Sequence, residues 1–381
     1  MYFLNYIINI VSVENVILRR ISSYIYCYIF GYIVTYSSES QSEVRKIQLT
    51  GGSTYIVSLP KKWITEHGLG AKDQVRIEWR PSGTLRVIAD ASKIIRTRVV
   101  DINCKEIPDH MIFDHLVSAY LSGANKIIIS SDNGISRKQS KILRNFIKST
   151  RGLEILNDQG NRLEMISLLN PSEMPLYSSI NRMYLLISRQ VRDFSDVLMG
   201  GEKEILEDSS DREDEVDALR LLLERQVGQI LESASIEDSL GTSRWEASEL
   251  CKLVRTLERM GDHSFALCDL ANSYAVPKSI NMASLPVSII PIWQMSIKLL
   301  VSNLRKRKIT EIHTAKSQLL SARQDLLQYE EELRSSDIEL QDALFMDRVS
   351  ESLRRMCSYS INMAEILMNI QTHRESTQIY S

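Results

Sequence analysis

Two pairs of carboxylates and one run of cations have the types and spacing to do chemistry in this chain. Glu213 and Asp217 lie four residues apart, as do Glu258 and Asp262, and both pairs fall in stretches with a helical apolar repeat. Around Glu258 the apolar stripe is Leu250, Leu253, Val254, Leu257, Met260, Leu267 and Cys268; helical periodicity puts Glu258 and Asp262 about 100° and 140° round from its centre. Around Glu213 the stripe is Val216, Leu219, Leu223, Val227 and Ile230, and Glu213 and Asp217 lie about 80° and 120° from its centre, in the same rotational sense. Both pairs are expected outside the core. Two antiparallel helices facing one core would turn these pairs either into a shared groove or onto opposite sides. Four carboxylates in one groove repel each other without a cation, and oxygen donors suit Mg, Mn, Fe or Ca ions better than a closed zinc site. The other reading is a solvated acidic face, with Arg255 and Arg259 beside Glu258.

The cations are Arg45, Lys46, Lys61, Lys62, Arg76, Arg80 and Arg86. Over residues 45–98 there are eleven Lys/Arg against four Asp/Glu, whereas residues 202–217 hold nine acids against two bases. With a formal net charge of −2 over 381 residues, the chain is not one that coats nucleic acid along its whole surface. A basic head on an acidic body suits local contact with phosphate. Arg76 and Arg80 share a strand face by period, and Lys61 and Lys62 at a helix start suit phosphate better than base edges. The alternative for each is an ordinary soluble surface.

The elements that must position the cations are strands. KIQL and TYIVSL alternate polar and apolar residues across Gly51 and Gly52, the pattern of a hairpin. Pro60 pre-sets a first helical turn for Lys61, Lys62 and Trp63, ending near Gly68, with Trp63 in the core; QVRIEW and TLRVI then form a second strand pair turning at residues 81–83. This order, with its Pro-Lys-Lys start, the Gly-Leu after the helical turn and Asp73 leading into the third strand, resembles the AbrB/MazE/SpoVT family of swapped-hairpin DNA-binding domains. The resemblance covers about forty residues and implies two chains interlaced in one barrel, hence a homodimer that binds DNA. It departs at Lys72, where the family often has glycine.

Residues 96–169 alternate strand and helix: TRVVDI, a helix over 110–122 stopped by Gly123, KIIIS, a helix over 136–150, then LEIL and RLEMISLL about a turn at 158–161. A compact α/β domain is expected, serving as a connector that sets head-to-body geometry; a ligand-binding regulatory domain is the other reading, with no Gly-rich phosphate loop at the strand ends to support it. From there the chain reads as amphipathic helices over 178–200, 202–233, 243–274, 286–306, 310–334 and 337–371, two three-helix units. LERMGDHSFALCDLA from Leu257 and LRRMCSYSINMAEIL from Leu353 superimpose at an offset of 96 residues, placing Met260 over Met356.

LERMGDHS and EVDALRLLLERQV are similar to signatures of PhoU, a phosphate-uptake regulator built of two repeated three-helix bundles, and the whole chain resembles the AbrB-PhoU fusions found in archaea. The resemblance implies metal sites at Glu213, Asp217, Glu258 and Asp262, holding a divalent or trivalent ion (Fe, Mn, Mg or Zn) in the first helical repeat only, since Arg354 and Ser358 replace Glu258 and Asp262 in the second. The expected fold is multidomain and mostly α: a swapped-hairpin β-barrel (43–91), a central α/β domain (92–172) and two repeated three-helix bundles (173–280 and 281–375).

Five cysteines without CxxC or zinc spacing read as reduced thiols of a cytoplasmic protein. No HExxH, GxSxG, Walker loop or GxGxxG in a strand-to-helix setting is present, so no enzyme is expected. Residues 21–36 are uncharged, yet a membrane span needs about twenty apolar residues. Residues 1–42 are therefore expected to be a leader outside the fold; an anchor or a structural helix are the other readings, and membrane association is not expected. The expected function is DNA-binding regulation of phosphate uptake, the helical body sensing phosphate status or a partner. The alternative is an adaptor acting on a phosphate transporter or signalling kinase, the β module serving only to dimerise.

Overall fold

The computed structural model describes residues 43–79, 83–89, 97–170 and 176–376. The expectations for residues 1–42, and for Arg80, lie outside them. The chain divides into two compact units, one ending at Ile95 and one running from Arg96 to Ser381.

In the first unit, β1 (Gln48–Thr50) pairs antiparallel with β2 (Thr54–Ile56), and β3 (Arg76–Trp79) with β4 (Leu85–Ile88). Gly51 and Gly52 carry φ of 63° and 82° in the first turn, a conformation that costs a side chain strain. Between the hairpins α1 (Lys61–Glu66) starts after Pro60 at φ −60° and stops where Gly68 turns left-handed. This matches the expected order of elements. What the unit lacks is an interior: among its described residues only Leu69 is buried. Leu49 faces Tyr55 and Trp79 faces Leu85 across their hairpins, and all four are more than half exposed. Trp63 is half-buried rather than core, its ring centre 4.7 Å from that of His67. Four short strands cannot cover so much apolar surface by themselves.

The second unit begins with a four-stranded sheet in the order β5 (Val99–Asn103), β6 (Lys126–Ser130), β8 (Arg162–Ser167), β7 (Leu153–Asp158). β5 and β6 are parallel, joined through α2 (Ile112–Leu121), and the other pairs are antiparallel. α3 (Arg137–Ser149) opens with a capping box between Ser136 and Gln139. Ile127, Ile129 and Met165 from the sheet pack with Leu116, Tyr120 and Phe146 of the helices, and Leu221 of the next layer joins the same core.

That next layer is helical: α4 (Leu176–Leu198), α5 (Ser209–Glu232), α6 (Ala234–Leu240), α7 (Arg244–Ser273), α8 (Ile289–Lys306), α9 (Ile309–Arg334) and α10 (Leu340–Glu375). Both three-helix units share one core, with α7 packed on α10. The two repeats meet where the Ser360 hydroxyl contacts the Met260 sulfur at 3.2 Å and accepts from the Trp293 indole at 3.0 Å. Gly261 lets α7 approach α5, since a Cβ there would lie 3.1 Å from Val216.

Helix bounds differ from expectation by a few residues, with two larger changes. The helix expected from 202 is a 3-10 turn, Lys203–Leu206, before α5 begins, and Lys203 there turns its ammonium to the carbonyls of Asn272 and Tyr274 at the end of α7. α6 was not expected; Ser233 caps its start and Gly241, at φ 59°, ends it. No helix among the described residues is long and apolar enough to cross a membrane.

Candidate functional site

α5 is buried on nearly every side, and this decides what its charges can do. Its apolar stripe (Val216, Leu219, Leu223, Val227, Ile230) faces the bundle core as expected. Its opposite side is covered by the α/β layer, which α2 and α3 carry onto it. Arg225, 1 % exposed, donates to the carbonyls of Tyr120 at 2.6 Å and Ala124 at 2.8 Å, where α2 ends. The Tyr120 carbonyl lies in the last turn of α2, at the negative end of its dipole, so a cation belongs there.

Glu213, expected on the flank, is 6 % exposed, while Asp217 is half-buried on the same helix. On α7, Glu258 is half-buried and Asp262 exposed. Burial raises the Glu258 carboxyl above the usual range; the charges of Asp217 and Glu224 add to the rise, and Arg220 and Arg259 oppose it. Asp217 and Glu258 therefore do face one seam between α5 and α7. Arg220 fills it, with Nε 3.5 Å from Glu258 and Nη1 3.5 Å from Glu224, whose carboxylate also accepts from Arg255 at 2.9 Å. Among the described residues no group of three or more His, Cys, Asp or Glu is arranged to hold a metal ion. Arg220 supplies the positive charge beside Glu258, and a metal at the candidate carboxylates would have to share the seam with it.

In the second repeat the polarity is inverted. Arg354, equivalent by offset to Glu258, donates Nε to Glu330 of α9 at 2.8 Å, and Ser350 adds a 3.1 Å contact. The repeats are tied together at Glu246 of α7, which accepts from Tyr177 of α4 at 2.5 Å and pairs with Arg374 of α10. His263, within LERMGDHS, sits 5.9 Å from the Tyr359 ring; burial, with Arg355 and Arg354 nearby, lowers it from 6.5 to about 4.

In the first unit Lys46, Lys61, Lys62 and Arg76 are exposed. Lys61 and Lys62 form the first turn of α1, and Lys62 lies 4.0 Å from Glu66. Arg45 is paired with Glu43, and Arg86 with Glu78, its direct partner across the second hairpin. Two of the expected phosphate contacts are thus held by local acids. Lys72 adopts φ 78°, and Asp73 accepts from the Gly70 amide at 2.7 Å; a left-handed turn stands where the resemblance led one to look for glycine. Arg220 and Arg225 were not singled out from sequence: on a helix wheel Arg225 reads as solvent-facing, about 160° from the stripe centred on Leu223, and Arg220 lies at the stripe's edge, about 60° from that centre.

Comparison with known proteins agrees with this division. Residues 48–94 match the family model described as antidote-toxin recognition MazE, bacterial antitoxin, and residues 180–271 match the PhoU domain model. The crystal structure of PhoU from Pseudomonas aeruginosa aligns with 52 % of this chain and 96 % of its own, at 16 % identity and a TM-score of 0.42. No curated protein matches the chain. The molecule therefore joins a MazE/AbrB-type segment to a PhoU domain, in a mostly helical fold.

Proposed function

We propose that the protein is a cytoplasmic, dimeric, DNA-binding regulator of phosphate uptake, in which the hairpin unit contacts DNA and the helical body responds to phosphate status or to a partner such as a transporter or signalling protein. The observation that carries this reading is the bare apolar surface of the two hairpins beside their exposed cations. Trp79 is 86 % and Tyr55 73 % exposed, and burying side chains of this size contributes about 1.5–3 kcal/mol each. A second copy of the same hairpins would cover them and double the cations Lys46, Lys61, Lys62 and Arg76 on one assembly. The MazE-type match over these residues and the PhoU match downstream support the pairing of roles. The role is regulation by binding rather than catalysis.

The test is a fragment of residues 43–91. A dimer with salt-sensitive affinity for duplex DNA supports the reading; a dimer without DNA affinity gives the function to the adaptor alternative. A metal at Glu213, Asp217, Glu258 and Asp262 is proposed only for a seam from which Arg220 has withdrawn. Metal content that falls in Glu258→Ala/Asp262→Ala supports it, and unchanged content removes it.

A further inference from the structure

The candidate DNA-contacting cations lie in the hairpin unit, but a further row of positive charge lies on α3 of the second unit. Its thirteen residues hold Arg137, Lys138, Lys141, Arg144 and Lys148 and no acid. At helical spacing Arg137, Lys141, Arg144 and Lys148 fall within an arc of about 60° and extend about 16 Å along the axis. Directly opposite them is Phe146, fully buried in the α/β core, so the packing that fixes the helix also fixes this row outward. All four are exposed. Among the described residues none of the four is in an ion pair, whereas Lys138, off the row, reaches Asp109 at 3.2 Å. The row lines an open depression of about 530 Å³ together with Ser140 and Asn145, which add hydrogen-bonding groups between the charges.

This arrangement selects its ligand by shape. A single small anion is held by donors that converge on a buried point, and these four run in a line along solvent. A protein partner needs apolar anchors at the centre of its contact, and beyond Ile135 the depression has none. A linear, repeating anion satisfies a line of exposed cations, and most of the binding free energy then comes from released counterions. We propose that the α3 row is a second phosphate-backbone contact of this protein, taking a phosphodiester strand of duplex DNA in addition to the hairpin unit. The proposal rests on the DNA-binding reading above.

The experiment is fluorescence anisotropy of the full-length protein on a mixed-sequence duplex over a series of salt concentrations. It compares wild type, the neutral variant Arg137→Gln/Lys141→Gln/Arg144→Gln/Lys148→Gln, and the charge-keeping variant Arg137→Lys/Arg144→Lys. The neutral variant, matched to wild type by circular dichroism and thermal melt, is expected to bind at least tenfold more weakly at low salt. The slope of log affinity against log salt should become shallower by about 3–4. The charge-keeping variant should retain the wild-type slope. Equal slope and affinity in wild type and the neutral variant overturn the α3 contact and leave DNA binding by the hairpin unit standing. Absence of salt-dependent DNA binding in wild type overturns both. If the neutral variant keeps its DNA slope but loses binding to linear polyphosphate, the row takes free polyphosphate and the DNA assignment is wrong.

Discussion

Arg225 of α5 and Tyr120 of α2 are locked together twice: the guanidinium donates to the tyrosine carbonyl at 2.6 Å and lies 4.9 Å from the centre of its ring. Through this one contact the α/β layer and the first three-helix unit share a buried joint, flanked by Arg98 to Glu232 at 2.8 Å and Arg151 to Glu215 at 3.2 Å. Any change that moves α5 has to move the end of α2 with it. Hydrogen bonds from a charged donor contribute about 1.5–3 kcal/mol each, so Arg225→Met is expected to cost about 3 kcal/mol. Urea unfolding should show a lower midpoint, with the α/β layer loosening first; an unchanged midpoint would mean the joint is held by apolar packing alone.

At the hairpin unit, Lys72 sits at φ 78° where a side chain is strained. Lys72→Gly should stabilise the turn by about 1 kcal/mol. Thermal melting of the 43–91 fragment at fixed concentration checks this, and a lower melting temperature would show that the lysine side chain has a compensating contact.

The inverted polarity of the two repeats predicts different responses to the same Glu-to-Gln change in each. Glu330 is 6 % exposed and holds Arg354 and Ser350, so Glu330→Gln should destabilise by about 2 kcal/mol. Glu258 is raised by burial and by Asp217, so its charged form is already disfavoured, and Glu258→Gln should be neutral or slightly stabilising at pH 7. Chemical denaturation of both single variants tests the contrast; equal losses would show that Arg220 needs Glu258 as much as Arg354 needs Glu330.

His263 gives the fold an acid limit. Its folded value near 4 lies below the unfolded 6.5, so the unfolded chain takes up the proton first and stability is lost as pH falls from 6.5 towards 4. The loss is at most about 1.4 kcal/mol per pH unit. In His263→Gln this part of the pH dependence should flatten, while a profile identical to wild type would place the acid sensitivity on other groups.

Much of this organisation was legible in the residues. The alternation in KIQL and TYIVSL, the Pro60 start of α1 and the apolar stripes of α5 and α7 each follow from one local period, and local periods survive into the fold. The 96-residue repeat located the α7 and α10 pair for the same reason. The sites were harder to read, because they depend on which layer covers which face. A helix wheel showed one apolar stripe on α5 but could not show that the α/β layer would cover the other side, so Glu213 was expected at the flank and Arg225 went unnoticed. Burial of α5 likewise brings Arg220 into the seam with Glu258, a partner that sequence spacing did not show. The α3 row, cations at 137, 141, 144 and 148 without an acid between them, was not singled out from sequence, because its outward face is fixed only by the burial of Phe146 opposite it.

The central claim is that this protein acts on DNA in response to phosphate status, and genome-wide mapping of the DNA it occupies in high and low phosphate tests it most directly. The account predicts discrete sites, enriched beside phosphate-uptake genes, whose occupancy changes between the two conditions. No enrichment over background in either condition would contradict it.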